Sequence, residues 1–150
     1  MNQPVSLASR FRGYLPVIVD VETGGFNAQT DALLEIAAVT VKQDGRGLLL
    51  PHQRVHYHVA PFPGANLEKA SLDFTGIDPD NPLRGAVTED LALDGVFNAV
   101  RKALKESGCT RAILVGHNAF FDHSFVKAAV ARNDINRDPF HPFSSFDTAT

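Results

Sequence analysis

Pro16-Val17-Ile18-Val19-Asp20-Val21-Glu22 is an apolar run that ends in two carboxylates set two positions apart. Its β-branched, apolar composition predicts a strand. A strand turns successive side chains to opposite faces, so Asp20 and Glu22 share one face at its end. Two like charges held that close repel unless something positive sits between them. An oxygen-preferring divalent cation is the commonest solution, and Mg²⁺ usually takes one or two protein carboxylates plus a substrate phosphate. The same pattern also suits two solvated acids on a half-exposed strand, and the tripeptide taken alone favours that reading.

Further along, a second apolar strand, Ala112-Ile113-Leu114-Val115-Gly116, leads into His117-Asn118-Ala119-Phe120-Phe121-Asp122-His123. Asn118 reads as a helix N-cap, which sets Asp122 near the first turn of the helix that follows. Phe121, Phe125, Ala128 and Arg132 recur at helical spacing, and Asn133 can close the helix. An acid early in a helix often only complements the macrodipole. Here the strand-to-helix junction would hold a third carboxylate at the carboxyl edge of the sheet, where open α/β sheets bind ligands.

Asp20-x-Glu22 with Thr23-Gly24, followed by His117-Asn118-x-x-Phe121-Asp122, resembles the first two motifs of the DEDD 3′–5′ exonucleases, of DEDDh type. The likeness extends to RNA-trimming members of that family through Arg10-Phe11-Arg12-Gly13, the Asp20 to Asn27 and Thr30 to Ala38 segments, and Gly64-Ala65-Asn66-Leu67. Phe74-x-Gly76-Ile77-Asp78-Pro79, Arg84-Gly85-Ala86-Val87 and the Pro139 to Ala149 segment carry it on, so it covers nearly the whole chain. It implies a ribonuclease H-like α/β fold, a mixed sheet flanked by helices. It also implies hydrolysis of phosphodiesters by two metal ions about 3.5–4 Å apart. Those ions would be Mg²⁺, with Mn²⁺ as a substitute: Asp20 would bridge both, Glu22 would hold one and Asp122 the other. Asp147 is expected to be an accessory acid, and Glu35 to support the metal site from behind.

Family members complete the site with a third motif, His-x₄-Asp, placed after the Phe146-Asp147-Thr148-Ala149 segment. This sequence ends at Thr150, and its one His-x₄-Asp, His117 to Asp122, already belongs to the second motif. The expectation is therefore a single domain, residues 1–150, that forms the N-terminal portion of an exonuclease without the family's C-terminal helices. The implied activity is trimming of short single-stranded 3′ ends of tRNA and other stable RNAs, with release of nucleoside monophosphates and with single-stranded DNA as a further substrate. Two alternatives stand beside it: a catalytically incomplete fragment that binds nucleic acid or dimerises, and a proofreading-type DNA exonuclease.

Composition is that of an ordinary globular domain, with 150 residues, 44% apolar and 21% charged. No stretch approaches the ~20 apolar residues of a membrane span, so no membrane partner is expected. Cys109 is the single cysteine, which excludes an internal disulfide and fits a reducing cytoplasm. The net charge of −3 does not advertise a nucleic-acid binder, so distribution decides. Arg101, Lys102, Lys105 and Arg111 cluster around the end of a helix predicted from Glu89 to Glu106, with Leu93, Phe97, Val100 and Leu104 as its apolar stripe and Gly108 closing it. Such cations equally serve a helix C-terminus. The resemblance implies a homodimer in which the basic patch of one subunit faces the active site of the other, with Arg10, Arg12, Lys105 and Arg111 contacting phosphate.

Aromatic content is lopsided, with eleven Phe, two Tyr and no Trp. Phe97 and Phe125 lie on apolar helix faces and read as core. Phe26, Phe74, Phe121 and Phe143 match the phenylalanines on which family members stack 3′-terminal bases. Strands are predicted at Val17–Glu22, Leu33–Lys42, Val55–Val59, Ala112–Val115 and near Ser144–Thr148, the first three as an antiparallel meander. Helices are predicted around Leu67–Phe74, over 89–106 and from Phe121. His56 with His58, and His117 with His123, could mimic zinc pairs, but their spacings fit neither His-Glu-x-x-His nor a Cys/His ribbon. His123, directly after Asp122, is a candidate to line the site.

Overall fold

The run around Val17 becomes the central strand of a five-stranded mixed sheet in the computed structural model, which describes residues 5–148. Strand β1 (Tyr14–Thr23) pairs antiparallel with β2 (Leu33–Gln43), which pairs antiparallel with β3 (Leu49–His58). On its other side β1 runs parallel to β4 (Arg111–Gly116), and β4 parallel to β5 (Phe140–Asp147), giving the order β3-β2-β1-β4-β5. This is the expected mixed sheet with the expected meander. Both outer strands extend further toward their N-termini than predicted, and each carries a proline, Pro51 or Pro142. Edge strands tolerate the missing N–H donor, so a proline there does not stop the strand.

Four helices accompany the sheet: α1 (Leu7–Arg10), α2 (Lys69–Thr75), α3 (Glu89–Ser107) and α4 (Ala119–Arg132). Val17, Val19 and Val21 of β1 point to the face covered by α3 and α4, in one buried cluster with Leu93, Phe97, Phe125 and Phe140. Helix α3 ends as its sequence indicates, at Gly108 in the left-handed region with φ 73°. It crosses β3 closely at Gly95, where a Cβ would lie 2.0 Å from the Tyr57 hydroxyl, so only glycine fits. The opposite sheet face carries the alternate residues. Val39, Ile18, Val115 and Phe146 align across four strands there, and Ile18 and Phe146 are 40% and 55% exposed.

A buried ion pair ties the two long helices together. Glu89, which opens α3, accepts from Arg132 at the end of α4 through both carboxylate oxygens, at 3.0 and 2.8 Å. Asn133 adds a third bond to the same carboxylate at 2.8 Å, and the Arg132 guanidinium lies 3.8 Å from the centre of the Phe62 ring. Arg132 reads from sequence only as a helix position; its partner is far away in the chain.

Candidate active site

Asp20 and Glu22 leave β1 on the face away from the core, Asp20 exposed and Glu22 half-buried. Asp122 reaches them from the first turn of α4 and is buried at 4% exposure. Its Oδ1 accepts the backbone N–H of Val21, between the other two acids, at 3.0 Å, which docks the helix start onto the strand end. Burial first, and then the charges of Asp20 and Glu22, push the Asp122 carboxyl up to about 6 against the pull of its backbone hydrogen bonds. Glu22 is also raised, by burial, by Asp20 and then by Glu35. Among the described residues no Lys, Arg or His forms an ion pair with these three acids.

The donor set is all oxygen and anionic, the chemistry that suits Mg²⁺ or Mn²⁺ rather than softer ions. The three carboxylates do not bring one oxygen each within 4.8 Å of one another.

The loop after Glu22 is built to hold its shape. Asp31, buried, accepts from the Asn27 N–H at 2.9 Å through one oxygen, and from Thr30 and Asn66 through the other. Burial opposes ionisation of Asp31, but these hydrogen bonds outweigh it and hold the carboxyl below the usual range. A Cβ on Gly25 would meet Asp31 at 2.0 Å, so the glycine is what lets the acid sit inside the turn. Sequence reasoning missed Asp31 as the organiser of this loop, because its partners come from two separate segments.

The organised loop projects Phe26 into solvent at 87% exposure, and α2 projects Phe74 at 91%. Phe26, Phe74 and Phe121 line one cavity of about 430 Å³ whose floor includes Glu22. Phe26 and Phe121 meet edge-on at 6.2 Å. Phe143 is not in that cavity; it lies on β5 at 86% exposure with Lys127 over its ring at 5.6 Å.

Asn118 does stand at the N-cap of α4, but in the left-handed region at φ 61° and without a capping bond from its side chain. Its own N–H donates instead to Asp147 Oδ1 at 3.0 Å, so Asp147 braces the strand-to-helix junction that carries Asp122. His123 is buried on α4, its pKa lowered by burial and then by Lys127 and His141. Those neighbours place it toward β5 rather than among the three acids. Of the Phe146 to Ala149 segment, Ala149 lies outside the described residues.

The four basic residues gather at the other end of the sheet. Arg12 precedes β1, Arg111 opens β4 opposite Tyr14, Arg10 ends α1 and Lys105 lies in the last turn of α3. Arg10 donates to the Gly47 carbonyl at 2.6 Å. From Tyr14 to Glu22 the strand runs about 26 Å at ~3.3 Å per residue, so patch and acids are separated by the length of β1.

The family model described as "Exonuclease" (RNase_T) matches residues 17–150. Ribonuclease T of Photorhabdus laumondii is 64% identical over 146 residues, 97% of this chain and 67% of that protein. Ribonuclease T of Yersinia enterocolitica is 65% identical over 144 residues, 96% of this chain and 67% of that protein. The chain thus spans about two thirds of the length of these relatives. Among solved structures, E. coli Exonuclease I in complex with a dT13 oligonucleotide superposes with a TM-score of 0.66 at 18% identity, over 89% of this chain and 28% of that one. At that identity the superposition speaks for the fold.

Proposed function

The chain belongs to the exonuclease family, and from that premise we propose that it is a 3′–5′ exoribonuclease domain that trims short single-stranded 3′ ends of tRNA and other stable RNAs. The observation that carries the reading is Asp122: a buried carboxyl raised to about 6 beside two further acids, with no ion pair to a Lys, Arg or His among the described residues. Asp20, Glu22 and Asp122 would hold divalent ions, Mg²⁺ by the hardness of the donors. When bound, such ions activate a water and stabilise the leaving 3′ oxygen.

The chain's own residues do the rest of the positioning. Val21 N–H fixes one oxygen of Asp122 and so the orientation of its carboxylate. Phe26, Phe74 and Phe121 offer ring faces beside Glu22, so a terminal base stacked there brings its phosphodiester to the acids. Stacking is worth about 1–3 kcal/mol per base and tolerates any sequence, which suits an enzyme that must step along a strand. The same stacking admits single-stranded DNA. The basic residues lie the length of β1 from these acids, so they would serve a second subunit, holding the backbone of RNA whose end enters the partner's cavity. That arrangement makes the working unit a homodimer.

The test is a 3′-labelled single-stranded RNA incubated with protein and Mg²⁺. Loss of one nucleotide at a time from the 3′ end, abolished by Asp20→Asn, is expected. Internal cuts, or shortening that survives chelation of Mg²⁺, would contradict the reading. The 150 residues hold no second His-x₄-Asp, so binding of the end and its cleavage are separable measurements. Mg²⁺-dependent binding without shortening would favour a binding module.

A further inference from the structure

Glu35, His56 and His58 come together on the open face of the sheet, one strand beyond the acids of β1. The antiparallel register sets Glu35 opposite His58 and Ala37 opposite His56, so all three side chains project from the same face. Among the described residues this is the one set of three His, Cys, Asp or Glu side chains whose ligand atoms all lie within 4.8 Å of one another. Glu35 Oε1 is 2.9 Å from His58 Nδ1, and Glu35 Oε2 is 3.9 Å from His56 Nε2. The imidazole rings stand 4.8 Å apart and nearly perpendicular, at 80°.

We propose that these three residues form a binding site for one late first-row divalent cation of the zinc type, distinct from the carboxylate site of β1. Ligands around a tetrahedral ion with bonds of about 2.0–2.1 Å stand about 3.3 Å apart. The two carboxylate-to-imidazole distances, each to a different oxygen of Glu35, lie on either side of that value. His58 Nδ1 is itself buried and has the Glu35 carboxylate as its neighbour at 2.9 Å. Two imidazoles and one carboxylate select zinc, cobalt or nickel over magnesium, the opposite preference from the three acids nearby. Three protein ligands leave a fourth position open. The side chains of His56, His58 and Glu35 are 50%, 37% and 24% exposed, so water or a small anion can reach that position. The ligands stand on paired strands rather than loops, so little ordering is needed on binding. The site stands on its own geometry and does not depend on the exonuclease reading.

The test uses metal-free protein carrying Asp20→Asn and Glu22→Gln, which removes the competing acids. Co²⁺ is added and its visible absorption followed, with Zn²⁺ as competitor. Expected are one equivalent of Co²⁺ with the strong bands of four-coordinate geometry, displacement by Zn²⁺, and movement of the His56 and His58 ring-nitrogen NMR signals. His56→Gln and His58→Gln should each weaken binding about tenfold or more, as loss of even indirect support of a metal site does. Both side chains reach solvent, and an unchanged amide spectrum confirms that each variant folds. Absence of the bands, or bands that persist unchanged in His58→Gln, would overturn the proposal.

Discussion

Two buried carboxylates sit in the first turns of the two long helices on one face of the sheet, and they are treated in opposite ways. Glu89 opens α3 and Asp122 lies in the first turn of α4, at 5% and 4% exposure. Glu89 is gripped by both arms of Arg132 and by Asn133. Asp122 receives only backbone N–H groups and faces the negative charge of Asp20 and Glu22. An acid buried with its cation is architecture. An acid buried beside other acids costs stability, and folds keep such groups where a ligand will supply the missing charge. A buried acid in a helix's first turn therefore does two jobs, and what tells them apart is the partner rather than the residue.

Substitution at each site should break this contrast in a different way. Asp122→Asn keeps an acceptor for Val21 N–H but loses a ligand charge, so Mg²⁺-dependent trimming should fall on the order of 10³-fold or more. Unfolding in urea at pH 8 without metal should show the same variant no less stable than the parent, since crowded charge is relieved. Glu89→Gln should do the reverse. It strands the Arg132 charge, at a cost of about 3 kcal/mol, the low end of the usual range because Arg132 keeps some exposure. Urea midpoints would show that loss, and metal affinity should be unchanged. Phe74→Ala removes a ring that is 91% exposed, so stability should hold while KM for single-stranded ends rises by a factor worth about 1–3 kcal/mol. An unchanged KM would return Phe74 to the list of merely exposed side chains. The smallest effect belongs to the far end of the sheet: Arg12→Ala with Lys105→Ala should flatten the salt dependence of RNA binding by about one to two units of slope.

Much of this was legible in the sequence because its signals are local. The run ending at Glu22 shows strand, face and paired acids within seven residues. Helix α3 shows its stripe and its closing Gly108, and the three strands of the meander show in their apolar runs. What escaped depends on contacts between distant segments. Arg132 looks like one more helix position until Glu89 is folded against it. Asp31 looks like a loop acid until Asn66 arrives from the segment after β3. His56 and His58 fit no zinc spacing because their third partner, Glu35, is supplied by strand pairing and not by the chain's own order. The left-handed Asn118 was likewise hidden, since the Asp147 carboxylate that accepts its backbone N–H comes from β5.

The central claim is that Asp122 is held partly protonated by its surroundings and released by a divalent ion. Its folded pKa of about 6 lies above the ordinary 3.8, so the protonated form is favoured in the fold. Its contribution to stability without metal is greatest at low pH and declines as pH rises from about 4 through about 6, while metal binding gains over the same range. Calorimetric titration with Mg²⁺ at pH 5 and pH 7.5, in buffers of different ionisation heat, reads this directly. Tighter binding at pH 7.5, with proton release near pH 6 that disappears in Asp122→Asn, is the expected result. Equal affinity at both pH values with no proton released would contradict it.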